Sequence, residues 1–420
     1  MNKQKGRLKI GIKERPSLGL GALLSFQHMT AMFSANILIP MIIGLPVSVA
    51  LFASGLGTLI YLVITKFKVP VYLGSSGAYV AALLIAKEAM GGSMAAGQTG
   101  LILVGLSYVL TSIIIRKTGT DWVNRLIPAV IVGPLILVIG LSLAPYAIEQ
   151  TGLLGQANFK DVIVVLITLG TTIYFIVKGK GFMSFVPFLA GIVAGYISGA
   201  ILGMVDFTPV LQAQLIRMPE FSIWGINYKP YFGPEAWAIV PVILVSLSEH
   251  VGDHLVLGEV CGENFLKEPG MHRTVMGDGV ATIVSAFLGG PANTTYGENT
   301  GVISTTKVGS VYVIAGAAIL AMIMSFSGTI SALIYSIPTP VLGGVSLLLY
   351  GVIATNGLKV LKDSDVDFNQ NRNVIIISVM MILGLGGAAL PLFGSATLSG
   401  AALSGIAGVI LNKLLPKSEG

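Results

Sequence analysis

The sequence predicts an all-α polytopic membrane protein with fourteen transmembrane segments in a seven-plus-seven inverted repeat, and two short antiparallel strands in segments 3 and 10. Three observations predict it: the composition, the spacing of the apolar segments, and two interruptions within them. Of the 420 residues, 54% are hydrophobic and only 10% are charged, whereas soluble domains carry about 25% charged residues. This composition excludes an ordinary soluble domain, and the net charge of +6 does not indicate a nucleic-acid partner.

The apolar segments set the number of membrane crossings. Each is long enough, or nearly long enough, to cross the roughly 30 Å of hydrocarbon in a bilayer. The segments lie near residues 19–44, 46–65, 70–86, 97–115, 127–147, 161–177, 183–204, 236–257, 272–289, 291–306, 309–327, 329–353, 373–390 and 396–412.

The distribution of basic residues indicates the orientation. With the N-terminus in the cytoplasm and the segments alternating, only four of the 25 lysines and arginines fall outside, namely Lys87, Lys160, Arg217 and Lys229. Cytoplasmic loops of membrane proteins are enriched in Lys and Arg, so this bias supports an even number of spans. We therefore expect a multi-pass protein of the cytoplasmic membrane, surrounded by lipid, with both termini in the cytoplasm.

Segments 3 and 10 are interrupted by proline, glycine and small polar residues. Residues 70–77 are Pro-Val-Tyr-Leu-Gly-Ser-Ser-Gly, and residues 291–301 are Pro-Ala-Asn-Thr-Thr-Tyr-Gly-Glu-Asn-Thr-Gly. Irregular backbone at membrane depth persists only where protein covers it or where it lines a cavity. We predict that each interruption is a short extended stretch leading into a half-helix.

The two interruptions lie seven segments apart, and seven is odd, so the second half of the chain enters the membrane with opposite polarity. Paired interruptions in an inverted repeat indicate the substrate site of a secondary transporter. Glu298, inside the second interruption, is a candidate site residue because burying a carboxyl group for packing alone costs several kcal/mol. The alternative is a re-entrant loop that serves only for packing.

Segment 8 ends in a cluster of acids and histidines. Glu249 and Asp253 are four residues apart and share one helix face, and together with Glu298 they would form a proton relay and a polar ligand site. His250 and His254 have the spacing of metal ligands, but zinc sites usually need three or four protein ligands and the chain has four histidines. We expect both to be packed or hydrogen-bonded, with no bound metal or cofactor.

Two further polar residues lie inside spans. His28 in segment 1 shares a helix face with Ala31 and Ala35, and a lone intramembrane histidine more often bonds a neighbouring helix than acts in catalysis. Asp278 in segment 9 is either a site residue or a carboxylate that orients the broken segment. The sequence has no nucleophile–base pair and no Gly-rich phosphate loop, so we do not expect an enzyme.

Residues 298–307, Glu-Asn-Thr-Gly-Val-Ile-Ser-Thr-Thr-Lys, resemble the signature of the nucleobase–ascorbate transporter family. That signature has an acid, Gln or Pro, then Asn-x-Gly, four residues, and Thr followed by a basic residue or Gly. The resemblance extends almost end to end, through Gln27-His28, residues 74–76, residues 249–252 and residues 343–351. Within the family, the sequence looks most similar to bacterial uracil permeases.

The resemblance implies two interleaved domains. The core domain would comprise segments 1–4 (residues 1–126) and 8–11 (236–327), and the gate domain segments 5–7 (127–235) and 12–14 (328–420). The substrate would lie between them beside the two strands, and would be taken up with protons by alternating access. Family members form homodimers through the gate domain, although no seam is recognisable among these apolar helices.

The resemblance also implies roles for single residues. Glu249 and Glu298 match the two acids that hold the base. Tyr296 and Gly297 match the adjoining strand, whose backbone contacts the base. Ala35 matches a small residue that lines the pocket.

Two positions depart from uracil permeases. Gly77 stands where an aromatic side chain stacks on the base. Tyr79, two residues later, would substitute only in part, because in a strand it would be displaced by two positions. Asp253 stands where a histidine tunes the proton-linked glutamate. We therefore expect proton coupling to involve Glu249, Asp253 and His28.

Uracil fits these residues chemically. The planar, neutral ring offers two N–H donors and two carbonyl acceptors, and a carboxyl group accepts from an N–H or, when protonated, donates to a carbonyl. Glu298 occupies a position where purine-type relatives often have Gln. A purine permease for xanthine, urate or guanine is the first alternative, because Gly77 leaves room for a larger ring. An anion transporter on the same architecture is the second, although Glu249 and Glu298 argue against it.

Overall fold

The structure is a computed structural model, and it describes residues 8–120, 122, 128–155, 158–180, 183, 186–364, 366–391 and 397–416. The start of the basic tail, residues 1–7, and the predicted core–gate boundary at residues 126–127 lie outside the described residues. Helices make up most of the described chain.

Among its described residues, the first half of the chain contains eight helices and one strand: α1 (Leu18–Ile43), α2 (Val47–Ile64), β1 (Leu73–Ser75), α3 (Val80–Ala89), α4 (Ala95–Thr118), α5 (Ala129–Ser142), α6 (Ala144–Gln150), α7 (Phe159–Lys178) and α8 (Pro187–Ile201). The part of the second half that the structure describes contains ten helices and three strands: α9 (Thr208–Leu211), α10 (Pro234–Trp237), α11 (Ile243–Cys261), α12 (Met271–Phe287), β2 (Asn293–Thr295), α13 (Gly297–Thr306), α14 (Val311–Ser325), α15 (Gly328–Tyr335), α16 (Thr339–Asp363), α17 (Asn371–Leu385), β3 (Ala389–Pro391), β4 (Thr397–Ser399) and α18 (Gly400–Leu414).

Within the described residues, seven helical stretches are long and apolar enough to cross a membrane. Five of them are the single helices α1, α2, α4, α7 and α16. The other two are joined stretches, one running from α5 through α6 and one from α10 through α11. Four shorter apolar helices, α8, α14, α17 and α18, coincide with other predicted segments. The remaining predicted segments correspond to α12 and to the ten-residue helices α3 and α13, which are the half-helices expected after the two interruptions.

The two interruptions meet in a short sheet. β1 and β2 pair in antiparallel fashion, with Leu73 opposite Thr295 and Ser75 opposite Asn293. Gly74 is required here, because a Cβ at this position would lie 2.6 Å from Cζ of Tyr296. This sheet confirms the predicted pair of short strands in segments 3 and 10.

Each strand is anchored by a threonine hydroxyl from a neighbouring helix. Thr58 Oγ1 on α2 accepts from the N–H of Leu73 at 3.0 Å, and lies 3.3 Å from its carbonyl oxygen and 2.8 Å from that of Ser54. Thr282 on α12 accepts from the N–H of Asn293 at 3.3 Å and donates to its carbonyl oxygen at 2.9 Å. Each threonine thus contacts the first residue of its strand, in corresponding segments of the two halves.

The helix packing follows the same correspondence. α4 packs on α12, and α2 packs on α14, so the two sequence halves contact each other twice in equivalent ways. A second group of helices is built from α5 on α16, α7 on α8, and α17 on α18. The β1–β2 sheet lies within the first group, which holds most of the buried polar side chains discussed below.

The structure differs from the prediction in two places near the C-terminal end. Predicted segment 12, residues 329–353, is split into α15 and α16 because Pro338 lacks an N–H and disfavours a helical conformation at Ile337. Predicted segments 13 and 14 are separated by a second antiparallel pair, β3 and β4, in which Ala389 lies opposite Ser399. The hydropathy pattern carried no sign of this hairpin.

Candidate functional site

The first turn of α13 presents Glu298 to an open space. Tyr296 precedes the helix in an extended conformation, and no side chain caps this end. Glu298, Gly301 and Thr305 lie on one face and are exposed, whereas Asn299 on another face is buried. A carboxylate is expensive to hold in hydrocarbon, so we interpret the exposed face as the wall of a polar cavity.

α11 supplies the opposite wall of this cavity. Glu249 and Asp253 are half-buried on the same face, and Gly252 between them borders open space. Asp253 Oδ2 accepts from Thr295 Oγ1 at 3.1 Å, which links α11 to the end of β2. Glu249 interacts electrostatically with both Glu298 and Asp253. The structure therefore brings the three predicted acids together, and their roles remain predictions.

Gly77 opens the turn that follows β1, and it is half-buried. A Cβ at Gly77 would lie 3.7 Å from Cδ1 of Ile353 and 3.8 Å from Cδ1 of Ile39. Ile39 follows the buried Ala35 by one helical turn in α1. Two isoleucine side chains therefore stand close to the direction that an aromatic side chain at position 77 would take.

The expectation that Tyr79 partly replaces the missing aromatic is wrong. Residues Gly77–Tyr79 form a short 3₁₀ turn and do not continue the strand, so the side chain of Tyr79 points elsewhere. It is fully buried, and its hydroxyl oxygen lies 2.6 Å from Oγ of Ser246. Ser246 also accepts from the hydroxyl of Tyr108 at 2.7 Å, which holds Tyr79 inside the protein.

The family resemblance implied that Tyr296 and Gly297 lie in the strand, but neither residue belongs to β2. Tyr296 follows β2, and its N–H donates to the carbonyl oxygen of Tyr72 at 3.0 Å. Its hydroxyl donates to the carbonyl oxygen of Ser75 at 2.7 Å, so this side chain ties the two strands together. Gly297 is the first residue of α13 and is exposed at the cavity.

His28 lies behind α13 and not in the cavity. The side chain is buried, and Asn299 Nδ2 donates to both its carbonyl oxygen, at 3.0 Å, and its Nδ1, at 3.2 Å. Asn299 follows Glu298 directly in the sequence. His28 can therefore influence the site by fixing the first turn of α13, and its part in proton coupling stays a prediction.

His250 and His254 are hydrogen-bonded, as expected. Nδ1 of His250 bonds Asp278 Oδ2 at 2.8 Å, and its Nε2 bonds Thr274 Oγ1 at 2.9 Å. His254 bonds the hydroxyl of Tyr61 at 2.6 Å through Nε2 and the carbonyl oxygen of His250 at 2.7 Å through Nδ1. All four ring nitrogens are therefore hydrogen-bonded within the protein.

Sequence reasoning missed three residues that shape the site. Thr295 contacts Asp253, Ile353 stands beside Gly77, and Asn36 accepts from both the N–H and the hydroxyl of Ser75, at 2.7 and 2.8 Å. The alternation of side chains between the two faces of a strand could have identified Thr295. The other two contacts join residues far apart in the chain and leave no local pattern.

Two interrupted segments that meet in a short sheet beside three carboxyl groups, within a bundle of apolar helices, form the arrangement expected of a multi-pass membrane transporter. A family model described as "Permease family" matches residues 21–393. The uracil permease of Bacillus caldolyticus is 48% identical over 410 residues, covering 97% of this chain and 94% of that protein. The uracil permease of Bacillus subtilis (strain 168) is 44% identical over 425 residues, covering 99% and 97%. The chain belongs to the nucleobase–ascorbate transporter family of permeases.

The fold has a more distant relative among solved structures. The murine Solute Carrier 26 family member A9 anion transporter in the inward-facing state superimposes with a TM-score of 0.71 at 10% identity, covering 96% of this chain and 69% of that one. At this level of identity, the similarity concerns the fold alone.

Proposed function

We propose that the protein takes up uracil together with protons across the cytoplasmic membrane. The observation that carries the proposal is that the carboxyl groups of Glu249, Asp253 and Glu298 lie near one another where the start of α13 approaches α11, since a Cβ at Gly297 would lie 3.5 Å from Oδ1 of Asp253. Support also comes from the relatives, which are named uracil permeases and align over nearly the whole chain. Glu249 and Glu298 also stand at the positions where the family resemblance implies two acids that hold the base.

Uracil would be held by side chain and backbone together. The carboxylate of Glu298 accepts from a ring N–H, and Glu249, when protonated, donates to a ring carbonyl. The uncapped first turn of α13 adds backbone N–H groups and the positive end of a helix dipole, both suited to carbonyl oxygens. Gly297 lets the ring approach this backbone closely, since no side chain intervenes.

We propose that the chain has fourteen spans in a seven-plus-seven inverted repeat. The matched contacts of Thr58 with β1 and Thr282 with β2 support this, as does the equivalent packing of α4 on α12 and α2 on α14. The core domain is assigned to residues 1–126 and 236–327 and the gate domain to 127–235 and 328–420. Movement of one domain past the other gives alternating access, and the gate domain is the proposed homodimer surface.

Proton coupling is assigned to Glu249, with Asp253 beside it. Two carboxyl groups one helical turn apart, with a third across the cavity, favour the uptake of a proton because like charges repel. Asp253 accepts a hydrogen bond from Thr295, so a change in the charge of Asp253 would also alter the contact between α11 and the end of β2. His28 positions the opposite wall through Asn299.

The two alternatives lose support at specific residues. A purine needs space beyond Gly77, but Ile39 and Ile353 stand there at ordinary van der Waals distance from an added Cβ. An anion suits the uncapped end of α13, but Glu298 lies in that same turn. Uracil therefore remains the substrate that the residues favour.

Radiolabelled uptake into proteoliposomes tests the proposal. With an inward proton gradient, we expect uracil to accumulate and to be displaced by excess uracil, while xanthine and sulfate neither accumulate nor compete. Glu298→Gln should strongly reduce uptake at low uracil concentration, and Glu259→Gln, which changes an exposed acid on α11, is the matched control. Accumulation of sulfate or xanthine in place of uracil would refute the proposal.

A further inference from the structure

A cavity at one end of the bundle lies apart from the site described above. It has a volume of about 140 Å³ and lies where α2 and α4 end and α12 begins. Arg116 and Arg273 line it together with His272. The acids of the proposed uracil site are on α11 and α13, so this cavity needs its own explanation.

Arg273 is held in a fixed position in this cavity. Its Nη1 donates to the carbonyl oxygen of Ile64, the last residue of α2, at 3.1 Å. That bond satisfies one of the unpaired carbonyls at a helix C-terminus and leaves the other N–H donors of the planar guanidinium available. Arg116 lies in the last turn of α4 and is exposed.

The charge of this pair is not balanced. Throughout the part of the chain that the structure describes, neither Arg116 nor Arg273 has a carboxylate within ion-pair distance. Glu268, at the same end of the bundle, is bonded to Lys68. The hydrogen bond from Lys68 lowers the pKa of Glu268 from its usual value, and the charges of Lys66 and Arg273 act in the same direction. The local potential is therefore positive.

The remaining wall of the cavity is largely apolar. Ile64 and Met276 are half-buried there, and Ile113 is 42% exposed. A soluble anion gains nothing from these side chains, whereas the glycerol and first acyl carbons of a phospholipid would cover them. The distribution of Lys and Arg assigns this end to the cytoplasmic leaflet, where anionic lipids attract basic residues.

We propose that this cavity binds the phosphate of an anionic phospholipid. Arg273, held by Ile64, and Arg116 each form charge-assisted hydrogen bonds to the phosphate oxygens. The apolar wall contacts the upper part of one acyl chain. Because α2, α4 and α12 meet at this point, the bound lipid ties three helices together and stabilises the folded protein by mass action.

Thermal unfolding of the purified full-length protein in detergent, with lipid titrated in, tests the proposal. We expect phosphatidylglycerol to raise the unfolding temperature, and phosphatidylcholine with the same acyl chains and inorganic phosphate to leave it unchanged. Arg116→Gln should need roughly ten times more phosphatidylglycerol for the same shift. Lys117→Gln removes the same charge at the adjacent exposed position outside the cavity and should respond like the unaltered protein.

Equal lipid responses of Arg116→Gln and Lys117→Gln would overturn the proposal, because binding would then depend on net charge alone. A full shift with inorganic phosphate would overturn it in favour of a soluble anion. Arg273→Gln also loses the bond to Ile64, so its response is measured from its own lipid-free unfolding temperature. An undiminished response in that variant would contradict the assigned contact.

Discussion

The three acids of the site are held by three different local constraints. Glu298 sits in the uncapped first turn of α13, and Asp253 is bonded by Thr295. Glu249 lies one turn earlier on α11 than Asp253, facing the same open space beside Gly252. Each acid is thus fixed by backbone geometry or a single bond, so conservative substitutions there should change binding and leave the fold intact.

Glu298→Gln is predicted to weaken uracil binding about tenfold to a hundredfold. The amide keeps the shape but loses a charge-assisted hydrogen bond, which costs roughly 1.5–3 kcal/mol. Isothermal titration of the purified variant measures the loss, and an unchanged unfolding temperature shows that the fold is retained. Wild-type affinity in a folded variant would remove Glu298 from the site.

Glu249→Gln is predicted to separate binding from proton coupling. The side-chain amide of Gln still donates to a uracil carbonyl, but it cannot take up and release a proton. Uracil exchange across loaded vesicles should persist, whereas accumulation driven by a proton gradient should be lost. Normal gradient-driven accumulation in this variant would rule out Glu249 as the proton carrier.

Gly77→Phe is predicted to weaken uracil binding, because Ile353 and Ile39 already stand within 4 Å of a Cβ at this position and a ring extending beyond it would crowd them or the bound base. Overpacking in a core costs about 1–3 kcal/mol, and if this crowding is relieved by displacing the bound base, Kd rises by roughly fivefold to a hundredfold. Combining it with Ile353→Ala should restore binding. Gly77→Ala, whose contacts would be ordinary, is the control. Tight uracil binding by Gly77→Phe alone would show that Ile353 does not stand beside the side chain of residue 77 in solution.

At the level of secondary structure, the paired strands are held from both sides by buried polar side chains. Thr58 and Thr282 bond the first residues of β1 and β2, and Asn36 bonds the N–H of Ser75. The hydroxyl of Tyr296 closes the opposite edge. Strands this short cannot be stable alone, so these contacts set the position from which α3 and α13 begin.

Thr58→Val and Thr282→Val are therefore predicted to destabilise the protein by similar amounts. Each leaves a buried strand N–H without a partner, at a cost of about 1–3 kcal/mol. Thr355→Val, an exposed position whose hydroxyl bonds only within its own helix, is the control. Denaturant unfolding in detergent measures the stability of the three variants. A large loss of stability in only one of Thr58→Val and Thr282→Val would argue against the inverted repeat.

At the scale of the whole molecule, composition and hydropathy predicted most of the helices, because a lipid solvent imposes length and apolarity on every span. The two interruptions were also predictable, since proline and glycine mark them locally. The break at Pro338 was missed because the apolar run continues across it. The pairing of β3 with β4 was missed because both strands lie at the ends of apolar segments, 373–390 and 396–412, and hydropathy predicts only two spans there.

Side-chain contacts between distant segments were not predictable from one sequence. Asp278 pairs with His250 across two helices, and no periodicity links them. The position of Tyr79 was not predictable for the same reason, because its buried hydroxyl bonds Ser246 on the distant helix α11. The acids of the candidate site could be proposed from the sequence because charged groups are rare in apolar segments, whereas Ile353, beside Gly77, is one apolar residue among many.

The coupling of uracil to protons is the central claim, and substrate-induced current is its most direct test. Uracil is neutral, so any charge that moves when uracil is added to protein-containing membranes on a solid support belongs to a coupled ion. We predict an inward positive current on addition of uracil, absent in Glu249→Gln and absent with xanthine. Uracil transport without current, or a current of opposite sign on addition of sulfate, would contradict the account.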